Sequence, residues 1–366
     1  MLLLSRNFQI SFEQLSENDL AGMPAYLYAA AALILDWKKG KQEFVLYTSG
    51  STGKPKPIHL QRDKIIYSAN LTAKTFGLQA GDTLLCCLGT NYVAGFMMVM
   101  RALVLDCNLF VTEPTGNPLE NIDTENYKLD FAAFVPLQLE TIYNSDEKYF
   151  ELLNKMKAVI IGGAAVSKVL EEKLQRLQVP VYHTYSMTET YTHVAIRRLN
   201  GHEKSDYYIA LDDVQLRLDD RGCIVIQSPV TDNKPLVTND LAELRADGKF
   251  KLTGRIDNVI NSGGIKIHAE EVEEISRKII RELQLTETEL FAFGLRDEKL
   301  GQKLVLFIED EPWEDDLQER FTKIFQRQTS NYKSPKTLIF LPEFRRTNTG
   351  KVHRTSTVDE FEKRNI

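Results

Sequence analysis

Apolar residues in the first half of the chain alternate between two patterns. Short dense runs at residues 44–47, 83–88, 109–112, 131–135, 158–161 and 179–182 predict buried strands. Between them, residues 61–76 place Ile65, Ile66, Ala69, Leu71 and Ala73 near helical spacing, and residues 96–105 form an apolar helix. Residues 167–177 predict a charged surface helix with Ser167 as its N-cap. This strand–helix rhythm predicts a mainly parallel sheet covered by helices.

The rhythm changes after about residue 207. Runs at 207–209, 214–218 and 223–226, with the turn residues Asp219, Asp220, Arg221 and Gly222 between the last two, predict a small antiparallel section. Beyond residue 254, helices at 270–283 and 315–328 and strands at 291–294, 303–308 and 337–341 predict a small α+β domain. The expected fold is α/β, with a large N-terminal domain over 1–255 and a small α+β domain over 256–366.

Composition narrows the class. The 366 residues carry 45 Lys and Arg against 51 Asp and Glu, a net charge of -6; 43% are hydrophobic and 26% charged. That mix belongs to a folded globular protein and excludes disordered and fibrous classes. With no basic block, general nucleic-acid binding is not expected, and an anionic ligand needs a local positive site. The longest apolar run, 25–35, falls short of the ~20 residues that cross a bilayer. The leucines at 2–4 lack the apolar core of a signal peptide. No stable membrane insertion and a cytoplasmic location are therefore expected, and a homodimer is left open. Cys86, Cys87, Cys107 and Cys223 form no C-x-x-C pair, so buried thiols are expected rather than a zinc site or a disulfide frame.

Four stretches can carry chemistry. Thr48-Ser49-Gly50-Ser51-Thr52-Gly53-Lys54-Pro55-Lys56-Pro57 has no large apolar side chain and follows a strand directly. Its glycines, hydroxyls and lysines suit a polyphosphate cradle; the other reading is a solvated surface loop. The spacing is not Walker A. The S-x-x-K pattern at 51–54 lacks the S-D-N and K-T-G partners of a serine acyl-enzyme. Tyr185-Ser186-Met187-Thr188-Glu189 lies past a strand. A carboxylate beside a hydroxyl at such a strand end suits Mg2+ with phosphate, or else Glu189 caps a helix or faces water. Asp240 and Arg255 can hold a ribose diol, or simply pair with each other. The stretch Arg345-Arg346-Thr347-Asn348-Thr349-Gly350-Lys351 alone reads as a solvated loop.

In this order and at these separations, the four stretches resemble the adenylate-forming superfamily of acyl-CoA synthetases and luciferases, from residue 44 to 354. The resemblance implies a large N-terminal domain, a hinge and a mobile C-terminal lid. It implies a two-step reaction: a carboxylate and ATP with Mg2+ give acyl-AMP and pyrophosphate, and a thiol, here CoA, takes the acyl group. By position it places Thr48, Ser49, Gly50, Ser51, Thr52, Gly53 and Lys56 at the ATP phosphates. Gly162, Gly163, Ala164 and Ala165 flank the adenine, and Tyr185 joins the ATP site. Thr188 and Glu189 meet the α-phosphate and Mg2+, and Asp240 and Arg255 the ribose. Asp257 becomes the hinge. Gly263, Gly264 and Lys266 serve the thioester step, and Lys351 bridges the carboxylate and α-phosphate during adenylation. Displacement at the α-phosphorus needs mainly positioning and positive charge, which such residues supply. Three departures stand out: Ser186 and Asn239 replace usual glycines, Tyr92-Val93-Ala94-Gly95 replaces His-x-x-Gly, and the phosphate loop begins as early as Thr48.

That early start, with the run 187–195, most resembles the o-succinylbenzoate–CoA ligases of menaquinone biosynthesis, a branch of the superfamily. An aromatic dicarboxylate is then the implied acid, and its pocket needs a second positive charge. Arg101 stands alone among Met97, Met98, Val99, Met100, Ala102, Leu103 and Val104. Such an arginine is costly to bury unless it is paired or binds an anion. It binds the second carboxylate, or it pairs with Asp106 or snorkels to the surface. Thr192 and His193 are expected in the same pocket. The competing readings are another aryl or short-chain acyl-CoA synthetase, a loader of carrier-protein thiols, and a non-catalytic adenylate-binding module.

Overall fold

The apolar runs of the first half join one nine-stranded sheet, except 44–47, which pairs with Lys56–Gln61 in a separate two-stranded hairpin. The computed structural model describes residues 1–48, 56–120, 122–123, 127–286, 288–329, 332–347 and 352–364. They form two compact units: Met1–Leu216, Ile226–Leu236 and Arg245–Phe250 in one, and Arg217–Val225, Val237–Leu244 and Lys251–Ile366 in the other.

The sheet of the first unit runs in the order Ile209–Ala210, His193–Arg198, Val181–Ser186, Ala158–Ile161, Phe131–Phe134, Thr83–Cys86, Asn108–Val111, Leu2–Ser5, Phe8–Ser11. The pairings from Val181–Ser186 across to Leu2–Ser5 are parallel, and those at both edges antiparallel. Successive residues enter two different apolar cores. Leu84, Leu109, Val111, Phe131, Ala133 and Ile160 join one, with helices Ala25–Lys38, Arg62–Phe76 and Val93–Val104. Leu85, Phe110, Ala132, Phe134, Val159 and Ile161 join the other, with Pro136–Tyr143, Lys148–Asn154 and Lys168–Lys173. A strand covered on both faces reads as a continuous apolar run, which is why these strands are legible.

Local chemistry sets several ends. The helix Arg62–Phe76 stops at Gly77, whose φ of 67° only glycine adopts readily. Ser167 caps Lys168–Lys173 by accepting from the Leu170 N–H at 3.0 Å. The apolar run at 25–35 is the helix Ala25–Lys38, and the Lys38 ammonium donates to the carbonyls of Phe12, Glu13 and Leu15.

Three expectations need correction. The strand expected at 179–182 is Val181–Ser186, so Tyr185 and Ser186 lie on it rather than past it. Its pairing with His193–Arg198 extends it. The expected strand at 207–209 does not join the small antiparallel section. Ile209–Ala210 pairs with His193–Arg198 at the edge of the large sheet, while Tyr208 bridges Phe250. The helix expected at 167–177 is α-helical only to Lys173, continues as a 3-10 turn over Leu174–Arg176, and buries Glu171 because Arg197 pairs with it at 2.6 Å.

The second unit holds most of a four-stranded sheet, in the order Gln215–Leu218, Cys223–Gln227, Leu236–Leu244, Phe250–Arg255. It also holds a five-stranded sheet of Val259–Ser262, Ile265–His268, Leu290–Asp297, Gly301–Glu309 and Thr337–Leu341. Helices Ala269–Glu282 and Asp315–Gln328 cover one face through Val272, Ile279, Ile280, Phe321 and Phe325. The other face stacks Phe291 on Phe307, with ring centroids 4.9 Å apart, beneath Phe344 and Val358. Among the described residues no helix is long and apolar enough to cross a membrane.

Candidate active site

Two loop ends of the first unit meet where adjacent parallel strands finish. Ala158–Ile161 runs into Gly162, Gly163, Ala164 and Ala165, the last three exposed. Gly162 cannot carry a side chain without cost, since a Cβ would sit 2.8 Å from Thr184 Oγ1, and Gly163 has a φ of 83°. The neighbouring Val181–Ser186 carries Tyr185 and leads into the 3-10 turn Thr188–Thr190. Tyr185 is buried, Thr188 half-buried, and Glu189 exposes its carboxylate.

A strained backbone closes this turn. Tyr191 has φ 66° and ψ -32°, and the Thr192 N–H donates to the Thr190 carbonyl at 2.7 Å, which makes a γ-turn centred on a non-glycine residue. The Tyr191 ring is buried, and its hydroxyl accepts from the Gln61 N–H at 2.9 Å. Thr48 and Lys56 face each other across the hairpin of Glu43–Thr48 and Lys56–Gln61. Ser49, Gly50, Ser51, Thr52 and Gly53 lie outside the described residues.

Arg101 lies on the helix Val93–Val104 and is 1% exposed. Its Nε donates to Thr72 Oγ1 at 3.2 Å and its Nη2 to Thr192 Oγ1 at 2.6 Å. Among the described residues no carboxylate pairs with it, Asp106 included, and its burial rules out snorkelling. Burial lowers its pKa to about 10, which leaves it charged at neutral pH. Thr192 Oγ1 also lies 3.1 Å from His193 Nδ1. Burial, and then the charge of Arg101, holds His193 well below the usual imidazole range, so the ring is neutral. A bulge between His193 and Ala195 turns His193 and Val194 both inward. Nε2 has no partner among the described residues, nor do the buried hydroxyls of Ser68 and Ser228. All three residues line one small cavity, with Tyr67, Thr190 and Val230, that has room for about one water.

In the second unit, the Arg255 guanidinium bridges two carboxylates, Asp240 at 3.0 Å and Asp257 at 2.8 Å. Asn239 donates to Asp257 as well, at 3.2 Å. The Asp240 N–H donates to Thr238 Oγ1, which donates to the Ile224 carbonyl. Gly263 and Gly264, with φ of 59° and 83°, form the turn between Val259–Ser262 and Ile265–His268. Both positive values suit a two-residue hairpin turn. Lys266 is exposed on the second of these strands. Lys351 lies outside the described residues; Arg346 and Val352, which flank it, form an antiparallel bridge.

Several partners in the first unit escape a reading of sequence. Thr72, Ser68 and Ser228 carry no motif. His183 does leave a signal, since it precedes Tyr185 by two on one strand and so shares its face. Burial, with Arg197 adding to it, pushes the His183 imidazole down to about 4 from an ordinary 6.5. The sign follows: below 6.5 the unfolded chain binds a proton that the folded chain refuses. Stability is therefore intact above 6.5 and falls as pH drops toward 4. For His183 alone the loss reaches about 2 kcal/mol by about pH 5. Urea midpoints should fall between pH 7 and pH 5, and the fall should be smaller in His183→Gln.

The model of the AMP-binding enzyme family matches residues 34–226. A 2-succinylbenzoate–CoA ligase of Listeria monocytogenes is 24% identical over 97% of this chain and 76% of its own length. The crystal structure of an acyl-CoA synthetase (AMP-forming)/AMP-acid ligase II-like protein from Dyadobacter fermentans is 38% identical, covers 95% of this chain and 96% of its own, and superposes with a TM-score of 0.61. The o-succinylbenzoate CoA synthetase of Bacillus subtilis, in complex with ATP and magnesium, is 18% identical over 86% of this chain and 69% of its own, with a TM-score of 0.71.

Proposed function

Because the chain belongs to the AMP-binding enzyme family, we propose that it activates a carboxylic acid with ATP and passes the acyl group from acyl-AMP to CoA. The acid we infer is o-succinylbenzoate. The observation that carries the reading is the pair of adjacent parallel strand ends, one leading into Gly162 to Ala165 and the other into Thr188 and Glu189. Open α/β sheets bind ligands at such ends.

The roles follow from the groups available. Backbone groups of Gly163 and Ala164, with Tyr185, meet the adenine, and Asp240 and Arg255 meet the ribose. Thr188 orients the α-phosphate. The exposed carboxylate of Glu189 fits Mg2+, which keeps most of its waters and lends charge to the phosphates when bound. Residues 48–56 hold the β- and γ-phosphates. Lys351 places positive charge between carboxylate and α-phosphate for the first step. Asp257 is the hinge between domains at 1–255 and 256–366, and Gly263, Gly264 and Lys266 serve the second step.

The choice of acid is supported by a buried cation whose described partners are both neutral hydroxyls. Arg101 reaches Thr192, which lies against His193, and His193 lines the cavity of Ser68 and Ser228. A buried guanidinium of this kind suits an anionic oxygen. Relatives named 2-succinylbenzoate–CoA ligase point the same way.

The purified chain, given ATP, Mg2+ and a panel of acids, should release pyrophosphate fastest with o-succinylbenzoate. Arg101→Ala should raise KM for that acid by about tenfold or more, the worth of a hydrogen bond to a charged group, and leave KM for ATP unchanged. An unchanged KM for the acid removes Arg101 from the pocket. Release with a different acid points to another acyl-CoA synthetase, and no release with any acid, despite ATP binding, to a non-catalytic module.

A further inference from the structure

The carbonyl of Ala164 and the ring of Tyr185 lie on different elements, yet both rest on one buried pair. His183 Nε2 is 3.0 Å from the Ala164 carbonyl oxygen, and His183 Nδ1 is 2.6 Å from the Tyr208 hydroxyl. The Tyr208 ring stands edge-on to Tyr185, with centroids 6.3 Å apart, and stacks on Phe250 at 5.2 Å. Behind it, the Arg197 guanidinium lies 5.6 Å from the Tyr208 ring centre and pairs with the buried Glu171.

Chemistry assigns every proton in this pair. A carbonyl only accepts, so Nε2 carries the hydrogen. The ring is neutral, as its burial dictates, so Nδ1 bears a lone pair and the Tyr208 O–H donates to it. His183 is thus locked in one tautomer and one orientation. It occupies one lone pair of the Ala164 carbonyl, and Ala164 itself is exposed.

We propose that His183, held by Tyr208, is a positioning residue for the nucleobase, aiming the free lone pair of the Ala164 carbonyl at the amino group of a 6-aminopurine. The inference rests on Ala164 and Tyr185 lying at the adenine, as proposed above. A 6-oxopurine would bring an acceptor against that acceptor, so the arrangement selects adenine nucleotides by repulsion as well as attraction. Through Tyr208 the same residue braces Tyr185.

The test is binding of ATP and of inosine triphosphate, each with Mg2+, to the full chain without acid. The wild-type chain should prefer ATP. His183→Asn keeps a polar atom at the place of Nδ1 but none at Nε2. It should bind ATP about tenfold more weakly, with inosine triphosphate little changed, and kcat for pyrophosphate release at saturating ATP should hold. His183→Gln puts an amide nitrogen at the place of Nε2 and should restore the preference. Tyr208→Phe keeps the ring packing, removes only the hydroxyl, and should narrow the preference if His183→Asn does not fold. An ATP-to-inosine-triphosphate ratio unchanged in the folded variants, or equal losses for both nucleotides, overturns the proposal. Wild-type chain that binds neither nucleotide instead overturns the adenine-site reading beneath it, before any variant is made.

Discussion

Gly95→Ala should cost about 3 kcal/mol of stability, near the top of the usual range for overpacking. A Cβ at position 95 would lie 2.4 Å from the Leu88 carbonyl oxygen and 2.5 Å from that of Gly89. Both obstacles are backbone, in the turn between the strand Thr83–Cys86 and the helix Val93–Val104, so no side chain can move aside. The helix itself is buried along Phe96 to Leu103 and has no room to shift as a body. A loss of that size removes a large part of the ~5–15 kcal/mol that holds a domain folded. The urea midpoint and Tm should drop sharply, and the damage should extend to Arg101, six residues further along the helix. Gly116→Ala is the control: a Cβ there meets only Thr141, at 3.6 Å, and should leave Tm nearly unchanged.

Lys351→Ala should slow formation of acyl-AMP by about 100- to 1000-fold, the usual effect of removing one group that stabilises developing charge. Displacement at the α-phosphorus occurs in the first step only, since in the second the thiol attacks the acyl carbon and AMP departs. Conversion of preformed acyl-AMP and CoA to the thioester should therefore survive. Pyrophosphate release reports the first step, and thioester formation from synthetic acyl-AMP the second. Equal loss in both would show that the lysine does not act in the way assigned.

The strands of the large sheet from Val181–Ser186 across to Asn108–Val111 were legible because both their faces are buried, so that no polar alternation interrupts them; His193–Arg198 of the same sheet was not read. The helices Asp315–Gln328 and Arg62–Phe76 were legible from their spacing. Edge pieces were not. The pair Leu2–Ser5 and Phe8–Ser11 and the two-residue strand Ile209–Ala210 are too short to show a period, and their pairing is decided by a distant neighbour. The site divides in the same way. Tyr185 to Glu189 is a contiguous stretch that its composition marks, whereas Gly162 to Ala165 entered only through the resemblance to the family.

By itself, then, the amino-acid sequence determined the α/β class, the order of the chemical stretches and the family to which they point, because periodicity and turn chemistry act between near neighbours. Only the tertiary structure decided which buried polar groups meet. Arg101 finds Thr72 29 positions earlier and Thr192 91 later, and His183 finds Tyr208 25 positions later. Desolvation favours a partner for each such group, but packing alone chooses which residue it will be.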